Sequence, residues 1–239
     1  MSVFHFQQFS VRQQQAAMKV CTDATLFGAM APVAGGERVL DIGTGTGLLS
    51  LMLAQRGIAS VTAVELDSAA AAEAAFNFRS SPWSDRLQVL QADIRDYAET
   101  AVAAFDLVIC NPPFFQDHSK SPDNARRLAR HNDSLPPADL LTTVDGLLTP
   151  KGLFHLLLPM HAVESVVALA PSCGLNLRCR TNIRGYARNK PKVAALVFAR
   201  EEGMLLQRTL TIYREERIYS PDSQYYLSDL LLRFAKVNE

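Results

Sequence analysis

The 239-residue sequence has no excess of either charge and no cysteine pairing of the kind that holds a metal. Lys and Arg together number 24, as do Asp and Glu, so the net charge is zero. That balance argues against a uniformly basic protein that coats nucleic acid. The four cysteines form no C-x-x-C pair and no Cys/His spacing typical of zinc, so we expect reduced thiols and no bound metal.

Long apolar runs and linkers are also absent. The purest apolar stretch, 153–160, contains His155 and Pro159 and is far too short to span a bilayer. No basic segment followed by an apolar one opens the sequence, so we expect no signal peptide and a cytoplasmic protein. The absence of repeats and of a Gly/Ser linker predicts one domain. We divide it into an N-terminal cap segment (1–37), a core sheet (38–200) and a C-terminal extension (201–239).

What the sequence contains is an alternation of short β-branched runs with longer Ala- and Leu-rich stretches at helical spacing. This alternation indicates βαβ units with buried parallel strands and right-handed crossovers. In such open sheets, ligands bind outside the carboxyl ends of the strands. An amphipathic stretch at 227–234 predicts a docked terminal helix. The predicted strands cover 38–42, 61–66, 87–90, 105–110, 152–158, 175–183 and 193–200.

A glycine cluster follows the first of these strands, with Gly43, Gly45 and Gly47 between the strand and a helix. Glycines let the backbone turn sharply and approach a ligand, and the helix N-terminus beyond them offers unpaired N–H groups. Because dinucleotides use similar turns, the glycines alone do not identify the ligand. Asp41 precedes them, where it repels a pyrophosphate and attracts a cationic ligand.

Carboxylates also end the next two predicted strands. Glu65 lies where it can accept hydrogen bonds from both hydroxyls of a ribose, and Asp93 where it can accept one from an exocyclic amine. A ligand with a positive centre, a ribose and an adenine satisfies Asp41, Glu65 and Asp93 together. The sequence therefore predicts S-adenosylmethionine as cofactor.

The most specific motif ends the fourth predicted strand: Asn111, Pro112, Pro113 and Phe114. A conjugated amine or an amide nitrogen is a poor nucleophile because its lone pair is delocalised. The Asn111 side-chain oxygen and the Pro112 carbonyl can accept its two hydrogens, so that the lone pair faces a methyl donor. Phe114 offers a face for stacking, and the protein contributes mostly positioning.

These ordered motifs resemble those of class I S-adenosylmethionine-dependent N-methyltransferases of the Asn-Pro-Pro-aromatic type. The resemblance covers about residues 38–115. It implies an α/β, doubly wound, Rossmann-like fold with helices on both faces of a mostly parallel seven-stranded sheet. In that fold the last strand is antiparallel, which accounts for the predicted strands through Arg200.

A narrower resemblance runs over nearly the full length. Segments 4–9, 18–24, 129–131 and 188–192 are similar to those of the bacterial tRNA (adenine-N6)-methyltransferases. That family methylates the adenine 3′ of the anticodon, adenine 37, in a valine tRNA.

By this resemblance, Thr22 and Asp23 close over the methionine end of the cofactor. Asn132 departs from the family pattern, which has Glu after Arg-His.

Two basic groups are candidates for binding RNA. Six cations and no carboxylate lie in 178–192, and a second group of arginines follows the Asn-Pro-Pro-Phe motif. Such clusters neutralise phosphates and give salt-dependent affinity, and Tyr186 can stack on a splayed base. The candidate RNA-binding residues are Arg126, Arg127, Arg130, Arg184, Arg188, Lys190 and Lys192.

Other functions stay open at the level of the residues. Protein-glutamine N5-methylation uses the same Asn-Pro-Pro acceptors, and so do rRNA and DNA amino-methylation. A module that binds RNA without catalysis is a further alternative, against which Asn111 and the intact glycine cluster argue. The sequence does not indicate an oligomeric state, and a monomer is compatible with it.

Overall fold

The structure, a computed structural model, describes residues 2–16, 18–102, 104–112 and 135–235. Its first half alternates strands and helices, as the sequence predicts. The elements there are β1 (Val3–His5), β2 (Ser10–Arg12), α1 (Thr22–Ala29), β3 (Arg38–Ile42), α2 (Leu48–Gln55), β4 (Ser60–Glu65), α3 (Ser68–Arg79), β5 (Leu87–Gln91), α4 (Ile94–Thr100) and β6 (Phe105–Cys110).

The second half of the described chain holds longer strands. Its elements are α5 (Pro137–Leu147), β7 (Leu148–Pro159), α6 (Met160–Leu169), a 3-10 turn (Ala170–Cys173), β8 (Asn176–Arg184), β9 (Val193–Ala199), β10 (Leu206–Thr211), β11 (Tyr213–Glu215), β12 (Ile218–Tyr219), α7 (Pro221–Leu227) and a 3-10 turn (Leu232–Phe234).

The central sheet has the order β10-β8-β9-β7-β6-β3-β4-β5. Strands β5, β4, β3, β6 and β7 are parallel, and β9 runs antiparallel to both β7 and β8. The α/β fold with a mostly parallel sheet is thus confirmed. The expected strand count of seven is wrong, because Leu206–Thr211 pairs in parallel with β8 and adds an eighth strand.

Helices cover both faces of this sheet. Successive residues of β3 point to opposite faces, so Val39 packs in one apolar cluster and Leu40 in the other. The first cluster includes side chains from α1, α2, α3 and α7, and the second includes side chains from α4, α5 and α6. Burial on both faces explains why the parallel strands read as near-continuous apolar runs.

The C-terminal region differs from its prediction. The expected helix at 227–234 is wrong: α7 ends at Leu227, and only Leu232–Phe234 form a short 3-10 turn. The helix begins earlier because the Ser220 hydroxyl caps its N-terminus and Pro221 provides a first position with no N–H to satisfy. Its apolar residues then pack against the face that α1 covers.

Candidate active site

Strand register brings the predicted site residues to one edge of the sheet. Ile42 on β3 pairs with Val64 on β4 and with Cys110 on β6. The next position on each strand therefore lies at the carboxyl edge, which places Gly43, Glu65 and Asn111 on three adjacent strands.

The glycine cluster forms a loop whose backbone conformation favours glycine at three positions. Gly43, Gly45 and Gly47 have φ angles of 67°, 56° and 80°, a region that side-chain-bearing residues seldom adopt. A Cβ on Gly43 or Gly45 would meet nothing within 4 Å, whereas one on Gly47 would lie 2.4 Å from Cε1 of Phe78. The first two glycines thus border open space, and the third is required for packing.

Asp41 anchors this loop from beneath. Its side chain is fully buried, and the hydroxyls of Thr44 and Ser50 each donate to Oδ2 at 2.6 Å. Among the described residues, Oδ1 has no hydrogen-bond partner. Burial raises the pKa of Asp41 to about 6, against the opposing effect of the two hydroxyls. Asp41 therefore shapes the loop, and the negative charge expected to attract a cationic ligand lies under it.

Glu65 joins the loop to the end of β4. Its Oε2 accepts a hydrogen bond from the Gly45 amide at 2.8 Å, and its Oε1 accepts one from the Asp67 amide at 3.0 Å. Each carboxylate oxygen has a second lone pair, so Glu65 keeps acceptor capacity beside the loop. This geometry fits a ligand with two neighbouring hydroxyls.

Asp93 lies beyond the end of β5 and performs a structural task of its own. Its carboxylate caps α4 by accepting from the Arg95 amide at 2.8 Å and forms an ion pair with the Arg95 guanidinium at 2.6 Å. The Arg95 hydrogen bond holds the pKa of Asp93 below its usual value. The carboxylate is thereby fixed in place and ionised, and Arg95 makes two hydrogen bonds to each of its oxygens.

The reactive motif is described in part. Asn111 and Pro112 are half-buried and directly follow the buried Cys110. Pro113, Phe114, Arg126, Arg127, Arg130 and Asn132 lie outside the described residues, so their predicted roles stay predictions.

Thr22 and Asp23 open helix α1, which packs on α2 through Gly28. The Thr22 hydroxyl lies 3.4 Å from the Tyr213 hydroxyl, and Lys192 acts on Asp23 through its charge. Burial raises the pKa of Asp23, and Lys192 opposes this shift. The start of α1 is thus near the loop between β8 and β9.

Sequence reasoning missed two buried polar residues on α3, Glu73 and Asn77. Glu73 accepts from the backbone amides of Gln14, Gln15 and Ala16 at 2.6–3.0 Å. Asn77 bonds both backbone polar groups of Arg12 and donates to the carbonyl of Thr46 in the glycine loop. Their i, i+4 spacing in an alanine-rich helix was the available signal, since it puts both on one helix face. They tie the N-terminal segment to the glycine loop.

His155 on β7 has a structural role. Its ring stacks on Phe27 of α1 with centroids 4.1 Å apart, and its Nε2 lies 3.0 Å from the Phe27 carbonyl oxygen. Burial lowers the pKa of His155 to about 4, so the ring is neutral near pH 7. It joins α1 to the sheet.

The predicted RNA-binding residues divide into two groups. Arg184 is half-buried and donates to the Thr211 hydroxyl at 2.9 Å, whereas Arg188, Lys190 and Lys192 are exposed. Strand β8 runs parallel to β7, since both are antiparallel to β9. The loop at 185–192 therefore leaves the sheet at the same edge as Asn111.

Two expected absences can be compared with the described part of the chain. No group of three or more His, Cys, Asp or Glu side chains there is arranged to hold a metal ion. None of the helices described is both long and apolar enough to cross a membrane.

Comparison with known proteins identifies the family. Residues 19–138 match the model of the methyltransferase small domain. A tRNA1(Val) (adenine(37)-N6)-methyltransferase from Tolumonas auensis is 39% identical over 234 residues, covering 97% of this chain and 98% of that protein. One from Bacteroides fragilis is 48% identical over 173 residues, covering 72% and 73%. The chain belongs to the tRNA1(Val) (adenine(37)-N6)-methyltransferase family.

Solved structures agree on the fold. A predicted O-methyltransferase from Agrobacterium tumefaciens superposes with a TM-score of 0.67 at 20% identity, covering 85% of this chain and 94% of that one. A glycopeptide N-methyltransferase in complex with S-adenosyl-L-methionine superposes with a TM-score of 0.56 at 17% identity, covering 76% and 87%. This chain and these distant structures thus share one α/β fold.

Proposed function

We propose that the protein transfers a methyl group from S-adenosylmethionine to N6 of adenine 37 in a valine tRNA. The observation that carries this proposal is the register that places Gly43, Glu65 and Asn111 on adjacent strands at one edge. Full-length similarity to the adenine(37)-N6-methyltransferases supports the substrate.

The residues of this edge fit the cofactor. The open space above Gly43 and Gly45 admits a ligand close to the backbone, and Glu65 keeps lone pairs for the two ribose hydroxyls. Asp93 accepts from the adenine amine, while Thr22 and Asp23 face the methionine end. When bound, S-adenosylmethionine supplies a methyl group on a positively charged sulfur.

Asn111 and Pro112 prepare the nucleophile. The Asn111 side-chain oxygen and the Pro112 carbonyl each accept one hydrogen of the adenine N6 amine, which directs the nitrogen lone pair toward the methyl carbon. S-adenosylmethionine, held by the glycine loop and Glu65, would supply the methyl group and leave as the neutral thioether, and the proton that N6 loses would pass to solvent. Holding the methyl donor and N6 in line supplies most of the rate enhancement, because the reacting atoms no longer have to meet by diffusion.

In this proposal, two groups of cations bind the tRNA backbone. Arg184, Arg188, Lys190 and Lys192 follow or end β8, and Arg126, Arg127 and Arg130 follow the Asn-Pro-Pro-Phe motif. Phosphate contacts of this kind fix the position of the RNA while base contacts select the nucleotide. The target adenine has to leave its stack to reach Asn111.

We further propose that the three segments act as one methyltransferase domain in the cytoplasm, where tRNA is modified. Contacts between the two termini support the single domain. The Gln7 side chain donates to the carbonyls of Ser228 at 2.6 Å and Leu231 at 2.9 Å, and Phe6 forms a β-bridge with Leu231.

Labelled methyl transfer tests the substrate class. The protein and labelled S-adenosylmethionine are incubated with total tRNA, total rRNA and DNA from a strain without the gene, followed by nucleoside analysis. We expect N6-methyladenosine in the tRNA fraction. Label in rRNA, in DNA or in protein glutamine, or no label at all, would overturn the proposal.

A further inference from the structure

A row of aromatic rings links the loop at 185–192 to the C-terminal extension. Tyr186, Tyr213, Tyr219 and Phe234 follow one another with ring centroids 5.6, 5.0 and 5.8 Å apart. Tyr219 is buried, whereas Tyr186 and Tyr213 are half-buried at the open end of the row. The buried Tyr219 ring therefore supports Tyr213, which in turn contacts Tyr186.

The open end of this row lies at the carboxyl edge of the sheet. Tyr186 comes two residues after β8, and Tyr213 comes two residues after β10, which is parallel to β8. Strands β6 and β8 are separated by β7 and β9, so a strand spacing of ~4.8 Å puts Tyr186 on the order of 15 Å from Asn111 along the edge. That separation suits a nucleotide of the same RNA loop as the target.

A surface groove of about 560 Å³ opens beside Tyr186. Tyr186 and Arg188 come from the loop at 185–192, whereas Arg214 and Glu215 lie on β11 and Glu216 begins the turn to β12. The Arg188 guanidinium lies over the Tyr186 ring, 5.5 Å from its centroid. We call these five residues the Tyr186 groove.

The chemistry of the Tyr186 groove suits a nucleobase. A base stacks on a tyrosine ring or a guanidinium plane, and both are present. The carboxylates of Glu215 and Glu216 accept from base N–H groups, while Arg188 and Arg214 donate to base acceptors or to a phosphate. A groove for phosphate alone would not contain two carboxylates, since they repel it.

Resting on the proposed function, we propose that the Tyr186 groove binds an unpaired base that flanks the target adenine in the anticodon loop. Moving the target base out of its stack costs its neighbours their stacking contacts. Stacking on Tyr186 restores such a contact. The C-terminal extension then has a role in RNA recognition, because Arg214, Glu215 and Glu216 form one wall of the groove.

The test combines protein variants with abasic RNA. Tyr186→Ala and Tyr186→Phe are compared with the unmodified protein for binding and methylation of a synthetic valine tRNA anticodon stem-loop. Matched stem-loops lack the base on one side or the other of the target adenine. Tyr225→Ala is the control variant, because Tyr225 is 80% exposed on α7, outside the groove. Dissociation constants for S-adenosylmethionine show whether each variant keeps its fold.

We expect Tyr186→Ala to weaken binding of the intact stem-loop about tenfold, with cofactor affinity unchanged. Tyr186→Phe keeps the ring and has near-normal affinity, as does Tyr225→Ala. The unmodified protein should bind one of the abasic stem-loops about as weakly as Tyr186→Ala binds the intact one. Tyr186→Ala should bind that abasic stem-loop no more weakly than it binds the intact one. Full affinity of Tyr186→Ala, or losses that multiply when the variant and the abasic site are combined, would overturn the groove proposal.

The outcome for the groove is separable from that for the proposed function. Methylation of the intact stem-loop by the unmodified protein tests the function by itself. The coupling between Tyr186 and a single base tests the groove. If the protein methylates adenine normally but Tyr186 shows no coupling to a single base, only the groove proposal is contradicted.

Discussion

The two halves of the catalytic edge are built in opposite ways. Around the glycine loop, the polar side chains bond to the protein itself: Asp41 to Thr44 and Ser50, and Glu65 to the Gly45 amide. At the loop 185–192, Arg188, Lys190 and Lys192 extend into solvent. The first half is preorganised for a small ligand of fixed shape, whereas the second leaves its charges available for a large anionic partner.

This contrast predicts that single substitutions act on different ligands. Changes near the glycine loop affect the cofactor or the reaction and leave RNA affinity intact. Changes in 185–192 affect RNA affinity and its response to salt.

The largest effect is expected for Asn111→Ala. This substitution removes one of two acceptors for the N6 amine, so we expect the rate of methyl transfer to fall by about 100-fold or more, as when one positioned hydrogen-bonding group is lost from an active site. Single-turnover rates with saturating cofactor and tRNA measure it.

Affinity for both ligands is expected to stay within a few-fold of normal in Asn111→Ala. Asn176→Ala is the control, because Asn176 donates to the Arg200 carbonyl at the start of β8, away from the edge. A full rate in Asn111→Ala would remove Asn111 from the catalytic machinery.

The next effect is expected for Glu65→Ala. Loss of two charge-assisted hydrogen bonds to ribose hydroxyls should raise the dissociation constant for S-adenosylmethionine by roughly 10- to 100-fold. Calorimetric titration measures it, with Glu99→Ala, on the exposed side of α4, as the matched carboxylate. Equal affinities in the two variants would contradict the assignment of Glu65.

These predictions depend on features that the sequence reveals to different degrees. The glycine loop, Glu65 and Asn111 are predictable because each lies at the end of an apolar strand. The carboxyl ends of parallel strands lie at one edge of the sheet, so these residues are expected there. Strand β10 was missed because its first four residues are exposed and its sequence, Leu-Gln-Arg-Thr, resembles a polar loop. Membership in the sheet there comes from pairing with β8, which the local pattern does not show.

Glu73 and Asn77 illustrate the same limit within the site. Their partners in the N-terminal segment lie more than fifty residues earlier in the chain, so no local motif connects them. The role of Asp93 as the cap of α4 was predictable from the adjacent helix alone, whereas its ion pair with Arg95 required the structure. Sequence thus predicts which residues reach the edge better than it predicts what holds them.

A smaller effect is expected when the exposed cations are removed together. Arg188→Ala/Lys190→Ala/Lys192→Ala should weaken tRNA binding and reduce the slope of log affinity against log salt by about 2, since each phosphate contact contributes ~0.7–0.9. Binding is measured between about 50 and 200 mM salt.

The control for this variant is Arg79→Ala/Lys151→Ala, because both residues are exposed and lie outside the loop at 185–192. It should keep the normal salt slope. If the triple variant keeps that slope as well, the loop 185–192 is an ordinary solvated surface.

The smallest effect in the unmodified protein concerns pH. The pKa of Asp41 is raised from 3.8 to about 6, so its contribution to stability falls as pH rises from 4 to 6. The pKa of His155 is lowered from 6.5 to about 4, so its contribution rises over the same range. Each amounts to about 3 kcal/mol, and the two nearly cancel.

Urea unfolding between pH 4 and 6.5 separates the two contributions. Asp41→Asn should make the free energy of unfolding rise with pH, and His155→Gln should make it fall. His5→Gln, at an exposed histidine, should behave as the unmodified protein does. The same pH slope in both variants would contradict the shifted pKa values of Asp41 and His155.

The central claim is that the two halves of the edge together deliver one methyl group to one amine. The most direct test is to locate the methyl group in purified, unmodified valine tRNA after reaction with labelled S-adenosylmethionine. A transcript with guanosine in place of adenine 37, which lacks the N6 amine, serves as the comparison. The account predicts N6-methyladenosine at position 37 alone and no label in the guanosine transcript. Label at another nucleotide, or in the guanosine transcript, would contradict it.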